Sequence, residues 1–168
     1  IAVACPKGDV ILVQDAKSGL IFNSEFDLAL MHYDPSYQNE QACSTTFIKH
    51  LHEVGQIIQR YCTGMKLIEI GCGKGYFLEY LTSLGFHVSG FDPAYEGINP
   101  AINKAYYGPG FSVRADGIVL RHVLEHISNP VEFLFQINDV AQEAMIYIEV
   151  PCFDWICRKR AWFDIFYE

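Results

Sequence analysis

The stretch "KLIEIGCGKGYFLEYLTSL", residues 66–84, changes character twice within nineteen positions. "KLIEI" (66–70) is a short apolar run with one acid inside it, the pattern of a buried strand. "GCGKG" (71–75) interrupts it, and "YFLEYLTSL" (76–84) is amphipathic at helical spacing, with Gly85 suited to the C-terminal cap. The reading is strand, tight turn, helix. Glycines 71, 73 and 75 let backbone approach a ligand without Cβ clashes, and the helix N-terminus after them favours negative charge.

The same alternation continues downstream. "HVSGF" (87–91) reads as the next strand, ended by Asp92-Pro93. A poorer helix pattern follows at 99–104, with a strand expected around Ala105 to Tyr107. "GIVL" (117–120) is a continuous apolar run of the kind found in buried parallel strands. Asn129-Pro130 start a helix with Val131, Leu134, Ile137 and Ala141 on one face, Pro130 fitting the first helical position. "MIYIEV" (145–150) is the last strand. Strands alternating with helices imply right-handed βαβ units, hence an α/β fold with a doubly wound, mostly parallel, Rossmann-like sheet.

Upstream, "VILVQDAKSGLIFN" (10–23) reads as two β runs around a turn at Asp15 to Gly19. Residues 24–43 are polar and aromatic and are expected to form a covering loop. Ser44 is a candidate N-cap for a helix to about Tyr61, with Phe47, Leu51, Val54, Ile58 and Tyr61 as its buried stripe. The expected organisation is a hairpin and lid segment, 1–43, followed by a ligand-binding α/β domain, 44–168.

Composition narrows the function. The 168 residues are 51% hydrophobic, with a formal net charge of −8, which argues against binding to nucleic-acid duplexes. The basic run Arg158-Lys159-Arg160, between Trp155 and Trp162, reads as a solvated helix face. No apolar stretch approaches the roughly 20 residues of a membrane span. The opening "IAVACPKGD" lacks a signal-peptide layout. Six cysteines at 5, 43, 62, 72, 152 and 157 form no C-x-x-C pair; each is expected to be buried and inert, and a cytoplasmic location is expected.

"LRHVLEHISNP" (120–130) contains H-x-x-E-H at His122, Glu125 and His126. Zinc ligation through that string needs both imidazoles on one helix face plus a third ligand. The residues before Arg121 are β-like, so His122 is expected at a strand end, with only Leu124 to Ile127 free to form a helical turn. No metal site is expected.

The glycine spacing is G-x-G-x-G, with Glu69 two positions ahead, where a nicotinamide-binding fold prefers G-x-G-x-x-G. With Asp92 ending the next strand, this resembles motif I of the class I S-adenosylmethionine-dependent methyltransferases. The resemblance implies S-adenosyl-L-methionine as cofactor, its methionine part held by Glu69, Gly71, Cys72, Gly73 and Gly75, with a small-molecule methyl acceptor. It implies that Asp92, followed by Pro93, accepts hydrogen bonds from the ribose hydroxyls, each contributing roughly 1.5–3 kcal/mol. It also implies that Arg121 and His122 line the methionine side, with Glu125 or His126 packed behind.

A narrower resemblance rests on "YDPSYQNEQACSTTF" (33–47), "RHVLEHISNPVEFL" (121–134) and "IYIEVP" (146–151), which look like the branch that includes deoxysugar C-methyltransferases. It implies C-methylation of a sugar, with Tyr33, Tyr37 and Gln41 in a lid and Tyr37, His122 and His126 as candidate catalytic groups. This chain departs from that branch in three ways. Lys17 and Ser18 stand where some members carry zinc-knuckle cysteines, no acid follows Asp92 to face the adenine, and "DIFYE" ends before the histidine and last two strands that commonly follow. The sheet is therefore expected to lack its last strands, and its exposed edge is expected to be covered by the 10–23 hairpin or to self-associate. The competing reading is a non-catalytic cofactor-binding or scaffold module.

Overall fold

The computed structural model describes residues 7–30, 44–108, 110 and 114–161. The chain divides into two compact units, residues 34–150 and residues 1–33 with 151–168. Among the described residues no helix is long and apolar enough to cross a membrane.

In the smaller unit, β1 (Leu12–Gln14) and β2 (Ile21–Asn23) pair antiparallel, Val13 opposite Phe22. Their turn is built by Asp15, whose Oδ2 accepts from the Ser18 N–H (2.7 Å) and hydroxyl (2.8 Å). The same unit holds a one-turn 3-10 helix, Leu28–Leu30, and the helix here labelled α4, Phe153–Lys159. Arg158 and Lys159 are exposed in the last turn of α4, where cations suit the helix dipole.

The larger unit carries a five-stranded parallel sheet: β3 (Lys66–Ile70), β4 (His87–Phe91), β5 (Ile102–Asn103), β6 (Gly117–Arg121) and β7 (Met145–Glu149). Their order is β5-β4-β3-β6-β7. The chain leaves central β3 in one direction through β4 and β5, then returns to its other side as β6 and β7. The switch point lies between β3 and β6, where an open α/β sheet leaves a crevice at its strand ends.

Alternation along β3 feeds two cores. Leu67 packs with α1 (Thr45–Cys62) and α2 (Tyr76–Ser83) through Leu51, Ile58, Phe77 and Leu81. Ile68 and Ile70 pack on the opposite face with Ile118, Leu120 and α3 (Pro130–Val140) through Ile137. The doubly wound, Rossmann-like expectation is met.

Four local readings are corrected. No helix forms over 99–104; the Asn99 Oδ1 accepts from the Ala101 N–H (3.0 Å), a turn that delivers Ile102 into β5. Strand structure therefore comes at 102–103 and not at 105–107; Tyr107 instead sets its ring edge against Phe91, centroids 5.1 Å apart. In α1, Ser44 does cap the Phe47 N–H (3.4 Å), but Tyr61 is 57% exposed and Cys62 takes the buried place in the stripe. In α3, Ile137 and Ala141 are buried while Val131 is exposed. Cysteine burial also splits: Cys62 and Cys72 are buried, whereas Cys152 and Cys157 are exposed, and Cys5 and Cys43 lie outside the described residues.

Candidate functional site

The glycine turn sits at the carboxyl end of β3, beside the switch point. Gly71, Gly73 and Gly75 all have left-handed φ, +69°, +53° and +85°. The Gly71 N–H donates to the Phe91 carbonyl (2.7 Å), and the Gly75 carbonyl accepts from Glu79 N–H (2.9 Å) in the first turn of α2. A Cβ on Gly71 would meet Val123 Cγ2 at 2.4 Å, whereas one on Gly73 meets nothing within 4 Å among the described residues. Gly73 thus presents exposed backbone that no described side chain covers. Cys72 is buried, its thiol pushed up by that burial and then by the charges of Glu69 and Asp92, so it stays protonated.

Asp92, just past β4, ties the turn to the neighbouring strand. Its Oδ2 accepts from the Gly73 N–H and its Oδ1 from the Ala94 N–H, both at 2.8 Å. Each carboxylate oxygen keeps a further lone pair for another donor. Pro93 follows, half-buried.

Behind the turn lies a band of charge on the α1/α2 face of the sheet. Glu69 is 3% exposed, and among the described residues its Oε2 has no hydrogen-bond partner. Burial pushes its carboxyl up to about 8, with Arg121 opposing and Asp92 and Glu149 adding to the rise. Glu69 is held protonated at neutral pH, because desolvation outweighs the nearby cation. Arg121 closes β6 in register with Glu149, which closes β7. The Arg121 Nε donates to Glu149 Oε2 (2.8 Å), and its guanidinium carbon lies 4.4 Å from the Phe77 ring centroid. The Nη2 of Arg121 is buried without a partner among the described residues.

His122 has a left-handed backbone, φ +52°, so the chain turns sharply out of β6. Its Nδ1 lies 3.3 Å from Glu125 Oε1 and its Nε2 3.3 Å from Glu149 Oε1. Hydrogen bonds to Glu125 and then Glu149 raise its pKa to about 9, outweighing desolvation. Glu149 also accepts from His50 Nε2 at 2.6 Å. Burial works against its charge, yet His122, Arg121 and His50 together hold its carboxyl well below the usual range. His126 ends a one-turn 3-10 helix, Leu124–His126, and burial lowers its pKa. The two histidines therefore stand on a strand exit and a 3-10 turn, as the β-like run before them implies.

The structure brings Glu69, Gly71, Cys72, Gly73, Gly75, Asp92, Pro93, Arg121 and His122 to one end of the sheet, with His126 on the turn beyond. Tyr33, Tyr37 and Gln41 lie outside the described residues. Two participants were not anticipated. Glu149 carries the same signal as Glu69, an acid at the end of an apolar strand, and was legible on that ground. His50 is one of several polar residues on an amphipathic helix, and nothing in its surroundings in the sequence marks it.

The sheet order and the glycine turn at the switch point define the class, an α/β Rossmann-like methyltransferase fold. The family model described as a methyltransferase domain matches residues 44–165, and the chain belongs to that family. Among curated proteins it is similar to the mitochondrial ubiquinone biosynthesis O-methyltransferase of Rattus norvegicus, 30% identical over 90 residues, covering 43% of this chain and 26% of that protein. The Mus musculus protein of the same name is also 30% identical over 90 residues, covering 43% of this chain and 24% of its own length. The chain thus spans about a quarter of the length of these relatives. Among solved structures it is similar to a SAM dependent methyltransferase from Archaeoglobus fulgidus, at 23% identity and a TM-score of 0.39, covering 63% of this chain and 56% of that one.

Proposed function

We propose that this domain binds S-adenosyl-L-methionine on the glycine turn and directs its methyl group to a small-molecule acceptor. The observation that carries this reading is the Gly73 backbone, fixed by Asp92 and covered by none of the described residues, four positions after Glu69, whose buried Oε2 has no hydrogen-bond partner among the described residues. The residues present fit the cofactor. Gly71, Cys72, Gly73 and Gly75 offer close backbone approach, Glu69 an unused polar atom, and Arg121 a second one. Asp92 and Pro93 take the ribose side, where the remaining lone pairs of Asp92 accept from hydroxyls. Tyr33 and Gln41 are assigned to the cofactor lid and Tyr37 to the acceptor side.

The cofactor supplies a methyl group already activated on a cationic sulfur. The protein therefore contributes chiefly proximity and orientation, which account for the largest part of such catalysis. An acceptor that must lose a proton also needs a base, worth roughly 10²- to 10⁴-fold. With both ring nitrogens turned to carboxylates, His122 keeps its protons below about pH 9 and serves as a fixed donor. Burial lowers the pKa of His126, which favours the neutral ring that a proton acceptor requires.

The resemblance of residues 33–47, 121–134 and 146–151 to deoxysugar C-methyltransferases supports a sugar carbon as acceptor. The names of the curated relatives favour an oxygen acceptor as a second reading. Calorimetry with S-adenosylhomocysteine tests the cofactor, and transfer of labelled methyl to ketosugars or to phenols tests the acceptor. Binding by the wild type and a loss of about tenfold or more in Asp92→Ala is expected, from at least one charge-assisted bond. An absence of binding by the wild-type protein overturns the proposal.

A further inference from the structure

We infer that Lys66, His87, Ser89 and Arg114 form a second ligand site, at the amino ends of β3 and β4, that binds the phosphate group of a small phosphorylated molecule. The site lies at the other end of the sheet from the glycine turn, roughly 16 Å away along the length of β3, and it stands apart from the cofactor reading.

Strand register brings these residues together. β3 and β4 begin side by side, with Lys66 beside His87 and Ile68 beside Ser89. Lys66 shares its pleat face with Ile68 and Ile70, and His87 and Ser89 share theirs with Phe91. Those three apolar residues belong to the core under α3, so the polar ones occupy the amino-terminal margin of the same face. Arg114 joins them from the connection between β5 and β6, whose described residues form no helix and whose Ala115 packs on that core. With Leu67 and Val88, the four line a cavity of about 220 Å³.

The lining is rich in donors. Lysine and arginine donate only, a histidine ring carries an N–H in either protonation state, and the serine hydroxyl donates as well. No acid lines the cavity, although the chain has 20 Asp and Glu against 12 Lys and Arg. Asp116, two residues after Arg114, turns its Oδ2 to the Lys66 N–H at 2.8 Å. Among the described residues, none of the four lining side chains has a hydrogen-bond or ion-pair partner. Two permanent cations in one recess repel each other and focus a positive field there, which an anion relieves. Donors from three segments outnumber the two oxygens of a carboxylate and suit the tetrahedral oxygens of a phosphate, which an arginine fork can grip in pairs. The volume falls below the roughly 300–1,000 Å³ of pockets that hold drug-sized ligands, so the ligand is small.

Calorimetry at constant ionic strength tests the site with inorganic phosphate, glycerol 3-phosphate and, as the control anion, acetate. Wild-type protein is expected to bind phosphate saturably with a Kd below about 10 mM, glycerol 3-phosphate more tightly, and acetate at least about fivefold more weakly than phosphate. Lys66→Gln and Arg114→Gln are each expected to weaken phosphate by about fivefold or more. Arg158→Gln, which removes a cation on α4, is expected to leave phosphate affinity unchanged. Lys66 and Arg114 are exposed, so neither substitution opens a hole in the core, and unchanged urea midpoints report an intact fold. A wild type without saturable phosphate binding overturns the inference. Equal weakening by Arg158→Gln also overturns it, because attraction would then follow overall charge. Glycerol 3-phosphate binding more weakly than phosphate overturns the assignment to a phosphorylated molecule. None of these results depends on S-adenosylhomocysteine binding, so the cofactor reading stands or falls separately.

Discussion

At the residue scale, two glycines two residues apart do different work. Gly71 and Gly73 share left-handed backbones, but a methyl group on Gly71 strikes the β-branched Val123 at 2.4 Å and one on Gly73 has open space. Left-handed backbone costs an L-residue roughly 1–2 kcal/mol, and overpacking adds about 1–3. Gly71→Ala is therefore expected to destabilise by about 2–5 kcal/mol and Gly73→Ala by about 1–2 in urea titrations. Gly73→Ala should nevertheless weaken S-adenosylhomocysteine binding, because its methyl would stand where the proposed cofactor approaches. Equal destabilisation by the two substitutions would contradict this division. G-x-G-x-G announces a special turn; the position of Val123 relative to Gly71 is not written in it.

At the element scale, end signals were more legible than faces. Asn129 caps α3 as its sequence suggests: Oδ1 accepts from the Glu132 N–H (3.3 Å) and Nδ2 donates to Glu132 Oε2 (2.8 Å). Asn129→Ala is expected to cost about 0.5–2 kcal/mol in urea titrations, whereas Asn129→Asp keeps the cap acceptor but loses the donor to Glu132 and is expected to be destabilising as well. Capping depends on residues three apart in sequence, so it can be read directly. Which residue ends a buried stripe depends on the partner surface. Tyr61 and Cys62 are both apolar and adjacent in phase, and the sheet accepts the smaller one. The short strand at 102–103 eluded periodicity because two residues carry no period.

At the scale of the whole molecule, the buried charges set a pH profile. The His122 value is raised from 6.5 to about 9, so its contribution is complete below about pH 6.5 and is lost as pH rises through 9. Glu69 is raised from 4.5 to about 8; the folded state holds a proton that the unfolded chain releases, so stability falls from about pH 4.5 to 8 and levels off above. Glu149 is depressed, and its contribution is lost on acidification below its ordinary value. Unfolding midpoints are thus expected to decline between about pH 6.5 and 9. Glu69→Gln should flatten the part of that slope below pH 8, leaving the His122 portion. A wild-type midpoint that rises across this window would show that the protonation states are wrongly assigned.

What the amino-acid order determined by itself is local: the alternating strands and helices, the caps, and a glycine turn followed by an acid on the next strand. Those features depend on neighbours within a turn or a few pleats, and they suffice for a doubly wound α/β fold; the methyltransferase expectation came from the resemblance that the glycine turn and Asp92 carry. Tertiary structure alone decided the charge state and company of the site. His50 meets Glu149 across 99 positions, and Glu69 keeps its proton because the packed sheet buries it away from water. Desolvation and register are properties of the packed sheet, and no short stretch of sequence contains them.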